Sequence, residues 1–269
     1  MDIEVRGVTA QYGDATVLAD VDLSVRAGEL VGLIGPNGSG KTTLLRILAN
    51  LHTPEAGVVR YAGKTAAEFG SRQIARRVAY LAQGGEVHWP MRADSVVALG
   101  RLPHHDALGG TDARDRDAVE RALVAADIVH LRARTMSQVS GGERMRILLA
   151  RALAVDGDVL LADEPTTALD PLHQLQLMEL LRTTVQEGRG VVVVLHDLAL
   201  AMRFCDRLVL LADGRVLDEG SPGRVLTDQH LARAYGVDVV RGERDGVPFV
   251  LPWRPVGKET GSALTKART

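Results

Sequence analysis

Residues 35–42 read Gly-Pro-Asn-Gly-Ser-Gly-Lys-Thr, which matches the phosphate-binding pattern G-x-x-x-x-G-K-[ST]. The apolar stretch 30–34 before the motif predicts a buried strand, and the stretch 43–49 after it predicts a helix. The glycines let the backbone curl so that its N–H groups point at phosphate oxygens, and the helix N-terminus adds partial positive charge. Lys41 can reach the outer phosphates, and the Thr42 hydroxyl can bind magnesium. The sequence therefore predicts a nucleoside triphosphate site.

The composition is that of a globular protein with one large domain or two small ones. Of the 269 residues, 46% are hydrophobic and 25% are charged, which is typical of a soluble protein. The formal net charge of −2 provides no basic field for a nucleic acid partner. The single cysteine, Cys205, excludes a disulfide framework and favours a reducing compartment. No signal segment is visible, and the longest apolar run, 191–195, is too short to cross a bilayer. We therefore expect a cytoplasmic protein that a partner holds at any membrane where it works.

The N-terminal region predicts strands ahead of the glycine-rich motif. Apolar residues alternate over residues 2–9 and indicate an edge strand, and they alternate again over 21–25. Tyr12 follows the first strand in a predicted loop. This tyrosine suits a half-exposed position with its polar tip in water, and its place ahead of the motif also suits stacking on adenine.

The segment from about residue 90 to 155 predicts a helical insert, because strand patterns are missing from it. Ser140 is a natural N-cap residue, and Glu143, three residues on, completes a capping box. The pattern predicts a well-capped helix over 144–154.

Titratable side chains follow two of the predicted buried strands. Asp163 and Glu164 end the apolar run 159–162, and ligand sites in parallel sheets lie at this end of the strands. A phosphate site needs an Asp to hold magnesium, here Asp163, and Glu164 is then placed to orient or deprotonate the attacking water. His196 follows the strand 191–195 on the same side, where it is either structural or a contact to the γ-phosphate.

Two further segments carry predictions of their own. His104 and His105 have no Cys or second His at ligand spacing, and we predict a solvated pair in a loop. The stretches 237–241 and 247–251 predict a hairpin, and the polar chain from Trp253 onward predicts a frayed end.

Together these motifs resemble those of the nucleotide-binding subunit of an ATP-binding cassette (ABC) transporter, over nearly the whole chain to about residue 252. The matching motifs are residues 35–42 (Walker A loop), Gln83 (Q-loop glutamine), VSGGE at 139–143 (family signature), VLLADE at 159–164 (Walker B strand), Ala168-Leu169-Asp170 (D-loop) and His196 (switch histidine). Tyr12 lies where the family has its adenine-stacking aromatic residue. The signature is the most diagnostic motif, because other phosphate-loop enzymes lack it.

The resemblance implies an α/β fold. It consists of a P-loop NTPase core, which is a mixed sheet with flanking helices and an N-terminal antiparallel β part, and an inserted α-helical subdomain. The implied organisation is one ABC ATPase domain over 1–252, with a nucleotide-binding core (1–88 and 156–225), a helical signature subdomain (89–155) and a C-terminal helix and hairpin (226–252). Residues 253–269 are expected to form a flexible tail.

The resemblance also implies ATP and Mg2+ as cofactors. The implied catalytic residues are Glu164, His196 and Gln83, and the implied magnesium ligands are Thr42, Gln83 and Asp163. The residues implied to contact ATP are Tyr12, Gly35, Pro36, Asn37, Gly38, Ser39, Gly40, Lys41, Thr42, Thr43, Ser140, Gly141, Gly142 and Asp170.

The implied partners are a second copy of the chain and integral membrane permease subunits. Two copies of such subunits pack head to tail, with each ATP between one Walker A loop and the other signature. A permease helix would dock in the groove between about residues 83 and 105, at the cytoplasmic face of the inner membrane, and a periplasmic or extracellular substrate-binding protein would act indirectly. Val139 and Glu143 depart from the usual signature LSGGQ, but the helix dipole tolerates the added charge, so we still expect ATP binding.

Residues 97–104 (VALGRLPH) resemble the "LGR-PH" stretch of importers for ferric siderophores, haem and cobalamin, and the Tyr235-Gly236-Val237 segment is similar to that group as well. We therefore predict an ATP-hydrolysing subunit that energises uptake of an iron chelate or cobalamin. The main alternative is an ABC ATPase subunit for a different substrate or for an exporter. A non-transport soluble ABC ATPase usually carries two cassettes or a long coiled-coil insert, and this chain has neither. A GTPase or a kinase of the wider P-loop class is disfavoured, because the guanine-reading motif N-K-x-D is missing and the Ser-Gly-Gly at 140–142 argues against both.

Overall fold

The computed structural model describes residues 1–84, 90–105, 112–167 and 169–256. The strands are β1 (Ile3–Tyr12), β2 (Ala15–Val25), β3 (Leu30–Ile34), β4 (Ala56–Tyr61), β5 (Lys64–Thr65), β6 (Val78–Leu81), β7 (Val159–Ala162), β8 (Gly190–Val194), β9 (Arg207–Ala212), β10 (Arg215–Gly220), β11 (Val237–Arg244) and β12 (Val247–Pro255). The α-helices are α1 (Lys41–Leu48), α2 (Ala66–Phe69), α3 (Ser71–Arg77), α4 (Ala93–Ala98), α5 (Ala113–Ala125), α6 (Gly141–Leu153), α7 (Pro171–Gln186), α8 (Leu198–Phe204), α9 (Pro222–Val225) and α10 (Asp228–Tyr235). Short 3-10 helices cover Leu99–His104, Val129–Leu131 and Met136–Gln138.

Six strands form the central sheet, in the order β10-β9-β3-β8-β7-β6. Neighbouring strands are parallel, except that β9 and β10 form an antiparallel hairpin. Every residue of β3 and of β8 is buried, as expected for parallel strands that are covered on both faces. Because the strands are parallel, the carboxyl ends of β3, β6, β7 and β8 lie along one edge of the sheet. The predicted mixed α/β fold is confirmed.

The N-terminal strand β1 is an interior strand, and the predicted edge position was wrong. β1 pairs with β2 on one side and with β4 on the other, in the antiparallel sheet β2-β1-β4-β5. Tyr12, which was expected in a loop, is the last residue of β1 and pairs with Ala15. Alternation of apolar residues reports that one face of a strand is buried, but it does not report how many of its edges are paired.

The chain between β6 and β7 is helical where it is described, and a buried ion pair joins its parts. Arg101 Nε lies 2.8 Å from Asp115 Oδ1, and both side chains are 8% exposed. His104 and His105 join this cluster, so the predicted solvated pair was wrong. His104 Nε2 is 2.8 Å from the Val155 carbonyl oxygen, and His105 Nε2 is 3.1 Å from Asp115 Oδ2. Their partners come from α5 and from the chain after α6, which local spacing does not reveal.

The C-terminal helix α10 leads into the predicted hairpin, β11 and β12. β12 continues to Pro255, which pairs with Val237, so the predicted boundary at residue 252 falls inside a strand. Val250 of this hairpin is fully buried in the core that also holds Leu200 and Phe204 of α8. The remainder of the predicted tail, 257–269, lies outside the described residues. Within the described ranges, no helix combines the length and the apolar character that crossing a membrane requires.

Candidate functional site

The glycine-rich loop joins β3 to α1 at the edge where the parallel strands end. Gly40 precedes α1 with a left-handed backbone, at φ 99°. A Cβ atom at Gly40 would lie 2.5 Å from Leu18 Cδ2, and one at Gly35 would lie 2.2 Å from the carbonyl oxygen of Leu211. Both glycines are therefore required by close packing of the loop as well as by its backbone conformation.

Lys41 is the buried cation of this loop. Its Nζ donates hydrogen bonds to the carbonyl oxygens of Gly35 and Pro36, each at 2.8 Å. Burial lowers the pKa of Lys41, and the negative charges of Glu164 and Asp163 oppose this shift. The loop therefore holds the Lys41 ammonium in place, while burial makes its positive charge unfavourable. A bound anion would offset this cost.

Asp163 lies at the end of β7, opposite the start of α1. Its side chain is fully buried, and Oδ1 accepts a hydrogen bond from the Thr42 hydroxyl at 3.2 Å. The Tyr80 hydroxyl donates to Oδ2 at 3.4 Å. Burial raises the pKa of Asp163, the Thr42 hydrogen bond lowers it, and the charge of Glu164 adds to the rise. Thr42 and Asp163 therefore place a hydroxyl oxygen and a carboxylate oxygen side by side.

Glu164, after β7, contacts side chains that follow the two neighbouring strands, β6 and β8. Gln83, after β6, donates from Nε2 to Glu164 Oε2 at 2.6 Å, and His196, after β8, places Nε2 at 2.6 Å from Oε1. Thr167 donates a third, longer hydrogen bond to Oε2 at 3.3 Å. Glu164 has a positive φ of 50°, a region that non-glycine residues rarely adopt. Strain of this kind is concentrated at functional sites, where the surrounding contacts maintain it.

These side chains enclose a cavity of about 580 Å3. The lining residues are Val17, Asn37, Gly38, Gly40, Lys41, Thr42, Thr43, Gln83, Glu164, Thr167 and His196. Nine of the predicted nucleotide and catalytic residues, including the metal candidates Thr42 and Gln83, thus share one cavity with Val17 and Thr167, which the sequence analysis did not name. Gly35, Pro36, Ser39 and Asp163 lie in or behind the loop without lining the cavity.

Five predicted site residues lie elsewhere on the chain. Ser140 caps α6, where its hydroxyl accepts from the Glu143 N–H at 3.2 Å, and the predicted capping box is present. Ser140 and Gly141 are exposed, Gly142 is half-buried, and none of the three lines the cavity. Asp170 caps α7 by accepting from the His173 N–H at 3.0 Å. Tyr12 is 47% exposed, and its ring lies 5.2 Å from that of His52.

Tyr80 and Thr167 are contacts of the site that the sequence analysis missed. A signal existed for both. Tyr80 is a polar aromatic residue in an otherwise apolar strand that ends at the site, and Thr167 follows Glu164 by one turn. No comparable signal marked Val17, because it reaches the cavity from the antiparallel sheet.

Comparisons with known proteins point to one family. A family model described as "ABC transporter" matches residues 18–167. The cobalamin import ATP-binding protein BtuD of Halobacterium salinarum is 43% identical over 243 residues, which cover 90% of this chain and 61% of that protein. The hemin import ATP-binding protein HmuV of Pseudomonas entomophila is also 43% identical over 243 residues, covering 88% of this chain and 94% of that protein. This chain therefore spans only 61% of the length of the first relative but nearly all of the second.

Solved structures agree at the level of the fold. An inward-facing metal-chelate type ABC transporter superposes with a TM-score of 0.82 at 23% identity, covering 94% of this chain and 97% of that one. The dimeric structure of the bacterial ABC transporter cassette MJ0796 superposes with a TM-score of 0.73 at 30% identity, covering 82% and 98% respectively.

Proposed function

Because this chain belongs to the ABC transporter family, we propose that it is the ATP-hydrolysing subunit of an importer whose cargo is an iron chelate or cobalamin. The observation that carries the proposal is the contact set of Glu164. A carboxylate from β7 is held by Gln83 and His196 from the two neighbouring strands, beside a loop built for phosphates. A carboxylate fixed in this way is suited to act as a general base toward a water molecule.

The roles of the chain's own residues follow from these positions. The loop N–H groups and Lys41 bind and neutralise the phosphates, and Glu164 accepts a proton from the attacking water. Gln83 and His196 orient the carboxylate, and His196 also reaches toward the γ-phosphate. Mg2+, when bound, would offset the phosphate charge.

The residues present fit such an ion. Thr42, Asp163 and Gln83 offer hydroxyl, carboxylate and amide oxygens, which are the ligands that Mg2+ prefers. In the described part of the chain, no three His, Cys, Asp or Glu side chains are grouped as a metal site. Water and phosphate oxygens would supply the remaining ligands of a bound Mg2+.

A second copy of the chain would complete the nucleotide site. Ser140 and Gly141 are exposed at the N-terminus of α6 and do not line their own cavity, which supports a role toward a partner's nucleotide. Asp170 at the start of α7 and the half-exposed Tyr12 would serve the interface and the adenine base respectively. The dimeric form of the similar cassette MJ0796 favours this assembly.

The permease is expected to dock beside the helical segment, at the cytoplasmic face of the membrane. Leu99 and Leu102 are 38% and 59% exposed there and offer apolar surface. Residues 85–89 of the proposed groove lie outside the described residues. An external substrate-binding protein would choose the cargo together with the permease. The iron-chelate or cobalamin cargo is supported by the "LGR-PH" resemblance and by relatives named for hemin and cobalamin import.

Glu164→Gln tests the catalytic assignment. The amide keeps the size of the side chain but cannot accept the proton of water, so we expect hydrolysis to fall about 10²- to 10⁴-fold while ATP still binds. Size-exclusion chromatography with ATP and Mg2+ should then show a dimer that persists in the variant. Glu179→Gln, at an exposed position on α7, is the matched control and should hydrolyse ATP at the wild-type rate. Wild-type turnover by Glu164→Gln would refute the role of Glu164.

Uptake tests the cargo. Cells that carry either the wild-type chain or Glu164→Gln are offered labelled haem, ferric siderophore and cobalamin in turn. Loss of one uptake with the others intact supports the importer and names its cargo. If all three uptakes persist, the cargo class is refuted, and export or a different substrate becomes the better assignment.

A further inference from the structure

The short 3-10 helix Leu99–His104 lies against the C-terminal end of α6. A Cβ atom at Gly100 would lie 2.2 Å from the Arg151 carbonyl oxygen and 3.1 Å from Ala154 Cβ. The backbone of the 3-10 helix therefore touches the last turn of α6 so closely that only glycine fits at position 100. This contact fixes where the two elements meet.

Arg101 and His104 of this 3-10 helix bind the backbone carbonyls that end α6. Arg101 Nη1 donates to the carbonyl oxygens of Ala154 and Val155 at 2.8 and 3.0 Å. His104 Nε2 also lies 2.8 Å from the Val155 carbonyl oxygen. The last carbonyls of a helix have no partner within it and carry partial negative charge, so a cationic side chain stabilises them. Arg101 therefore acts as a C-terminal cap of α6.

The guanidinium that forms this cap is itself held in place. Arg101 Nε lies 2.8 Å from Asp115 Oδ1 of α5, and both side chains are 8% exposed. A guanidinium carries its N–H donors in one planar fork, so Arg101 binds the carboxylate and both carbonyls at once. These hydrogen bonds are directional, unlike the apolar packing of α6 on α4 and α5, and they fix the position of the end of α6.

The same 3-10 helix is bound to the part of the chain that leads to Gln83. Arg76 of α3 donates from Nε to the Pro103 carbonyl oxygen at 2.8 Å, and Arg72 donates to the same oxygen at 3.3 Å. α3 leads directly into β6, and Gln83 follows β6 and donates to Glu164. The 3-10 helix therefore connects α6 to the side of the sheet from which Gln83 reaches Glu164.

Ser140 and Gly141 lie at the opposite end of α6, where both are exposed. α6 has 13 residues, so it extends about 20 Å as one rigid rod. A tilt of about 5° at its capped end would displace its first residues by roughly 2 Å, which is more than a hydrogen bond tolerates. The cap at one end of α6 therefore affects what the other end can contact.

We propose that Arg101 is a positioning residue for ATP hydrolysis, which caps α6 and thereby fixes Ser140 and Gly141 where they can bind the nucleotide of a second copy. This inference rests on the proposed function, in which two copies share each ATP. It gives Gly100, Arg101 and His104 of the VALGRLPH stretch a role in assembling the nucleotide site that does not depend on the cargo.

The double variant Arg101→Met/Asp115→Leu tests the proposal. It removes the cap without leaving an unpaired buried charge, so we expect it to fold. It is made in the Glu164→Gln background, and analytical ultracentrifugation measures the dissociation constant of the ATP-bound dimer. Displacement of Ser140 from the phosphate predicts a rise of about tenfold or more in this constant. The ATP affinity of the monomer should stay unchanged, because the glycine-rich loop is intact, and a fluorescent ATP analogue at protein concentrations below the dimer dissociation constant measures it.

Arg207→Met/Glu29→Leu, in the same background, is the matched control. Arg207 Nε lies 2.7 Å from Glu29 Oε1 in another largely buried ion pair, and Arg207 Nη2 donates to the Ser24 carbonyl oxygen at 2.6 Å. This pair lies at the amino ends of β3 and β9, at the edge of the sheet opposite the glycine-rich loop. The control should change Tm by a similar amount and leave the dimer dissociation constant unchanged.

An unchanged dimer constant in the folded Arg101→Met/Asp115→Leu protein, or an equal rise in the control, would overturn the proposal. If the double variant does not fold, Arg101→Lys takes its place, because it keeps a cation beside Asp115 but lacks the planar fork. Its dimer constant should rise about threefold or more, and an unchanged constant overturns the proposal equally. If the Glu164→Gln chain itself forms no dimer with ATP, the proposed function is refuted instead.

Discussion

Burial works against charge at the two central residues of the site. It lowers the pKa of Lys41 and raises the pKa of Asp163, so each residue is less easily charged than it would be in water. Both shifts are opposed by local partners, namely the carboxylates near Lys41 and the Thr42 hydroxyl at Asp163. A bound anion and a bound cation would each offset one of these costs, so the site is built at the expense of some stability of the empty protein.

Cys205 is a free cysteine that is buried in the core. Its thiol is buried, with Sγ only 2.7 Å from where a Cβ at Gly32 would lie. Burial raises the pKa of Cys205 to about 12, and the nearby Asp206 carboxylate adds to the rise. Because the thiolate is the reactive form, we expect negligible reaction with a disulfide reagent at pH 8 in the native protein.

Reaction of Cys205 should become rapid once the chain is unfolded in guanidinium chloride, and the absorbance of the released thiolate dye measures both rates. Fast labelling of the native protein would contradict the buried position.

At the scale of elements, the helix starts are specified by short-range chemistry. Ser140 and Glu143 form a capping box at α6, and Asp112 and Asp115 form another at α5. Asp170 and Asp197 cap α7 and α8 through their side chains. Each cap satisfies backbone N–H groups that the first turn leaves without a partner.

Ser140→Ala and Asp112→Ala separate the structural role of a cap from the proposed role at the nucleotide. Each variant loses one cap, so we expect the free energy of unfolding to fall by about 1 kcal/mol in both, as measured by urea denaturation. Only Ser140→Ala should also lose ATP hydrolysis at saturating ATP. Equal hydrolysis in the two variants would leave Ser140 with the capping role alone.

At the scale of the whole molecule, the C-terminal hairpin is part of the core. Val250 of β12 is fully buried against α8, whereas Val247 on the same strand is 40% exposed. The hairpin therefore packs onto α8, in the same core as the sheet that carries the nucleotide site.

Val250→Ala should destabilise the entire domain. Removing two buried methyl groups predicts a loss of about 1–2 kcal/mol in the free energy of unfolding, and the single cooperative transition should be retained. Val247→Ala on the exposed face should change stability by no more than about 0.5 kcal/mol. A separate early transition in Val250→Ala, seen by circular dichroism in urea, would mean that the hairpin unfolds independently of the core.

The sequence alone determined the features that depend on neighbouring residues. The glycine-rich loop, the strand before it, the cap at Ser140 and the hairpin turn at Asp245-Gly246 were all predicted, because each depends on backbone conformation or hydrogen bonds over a few residues. The mixed α/β fold was readable for the same reason, since apolar periodicity and turn residues mark its elements.

Only the tertiary structure decided which distant residues meet. It made β1 an interior strand, joined His104 to the Val155 carbonyl and His105 to Asp115, and brought Gln83 and His196 onto Glu164. These side-chain contacts join positions that are from 10 to 81 residues apart in the sequence. The order of the strands in the sheet and the packing of the helices on it decide which of these residues meet. Local periodicity does not encode that order, because the same apolar pattern would suit a strand beside any other strand.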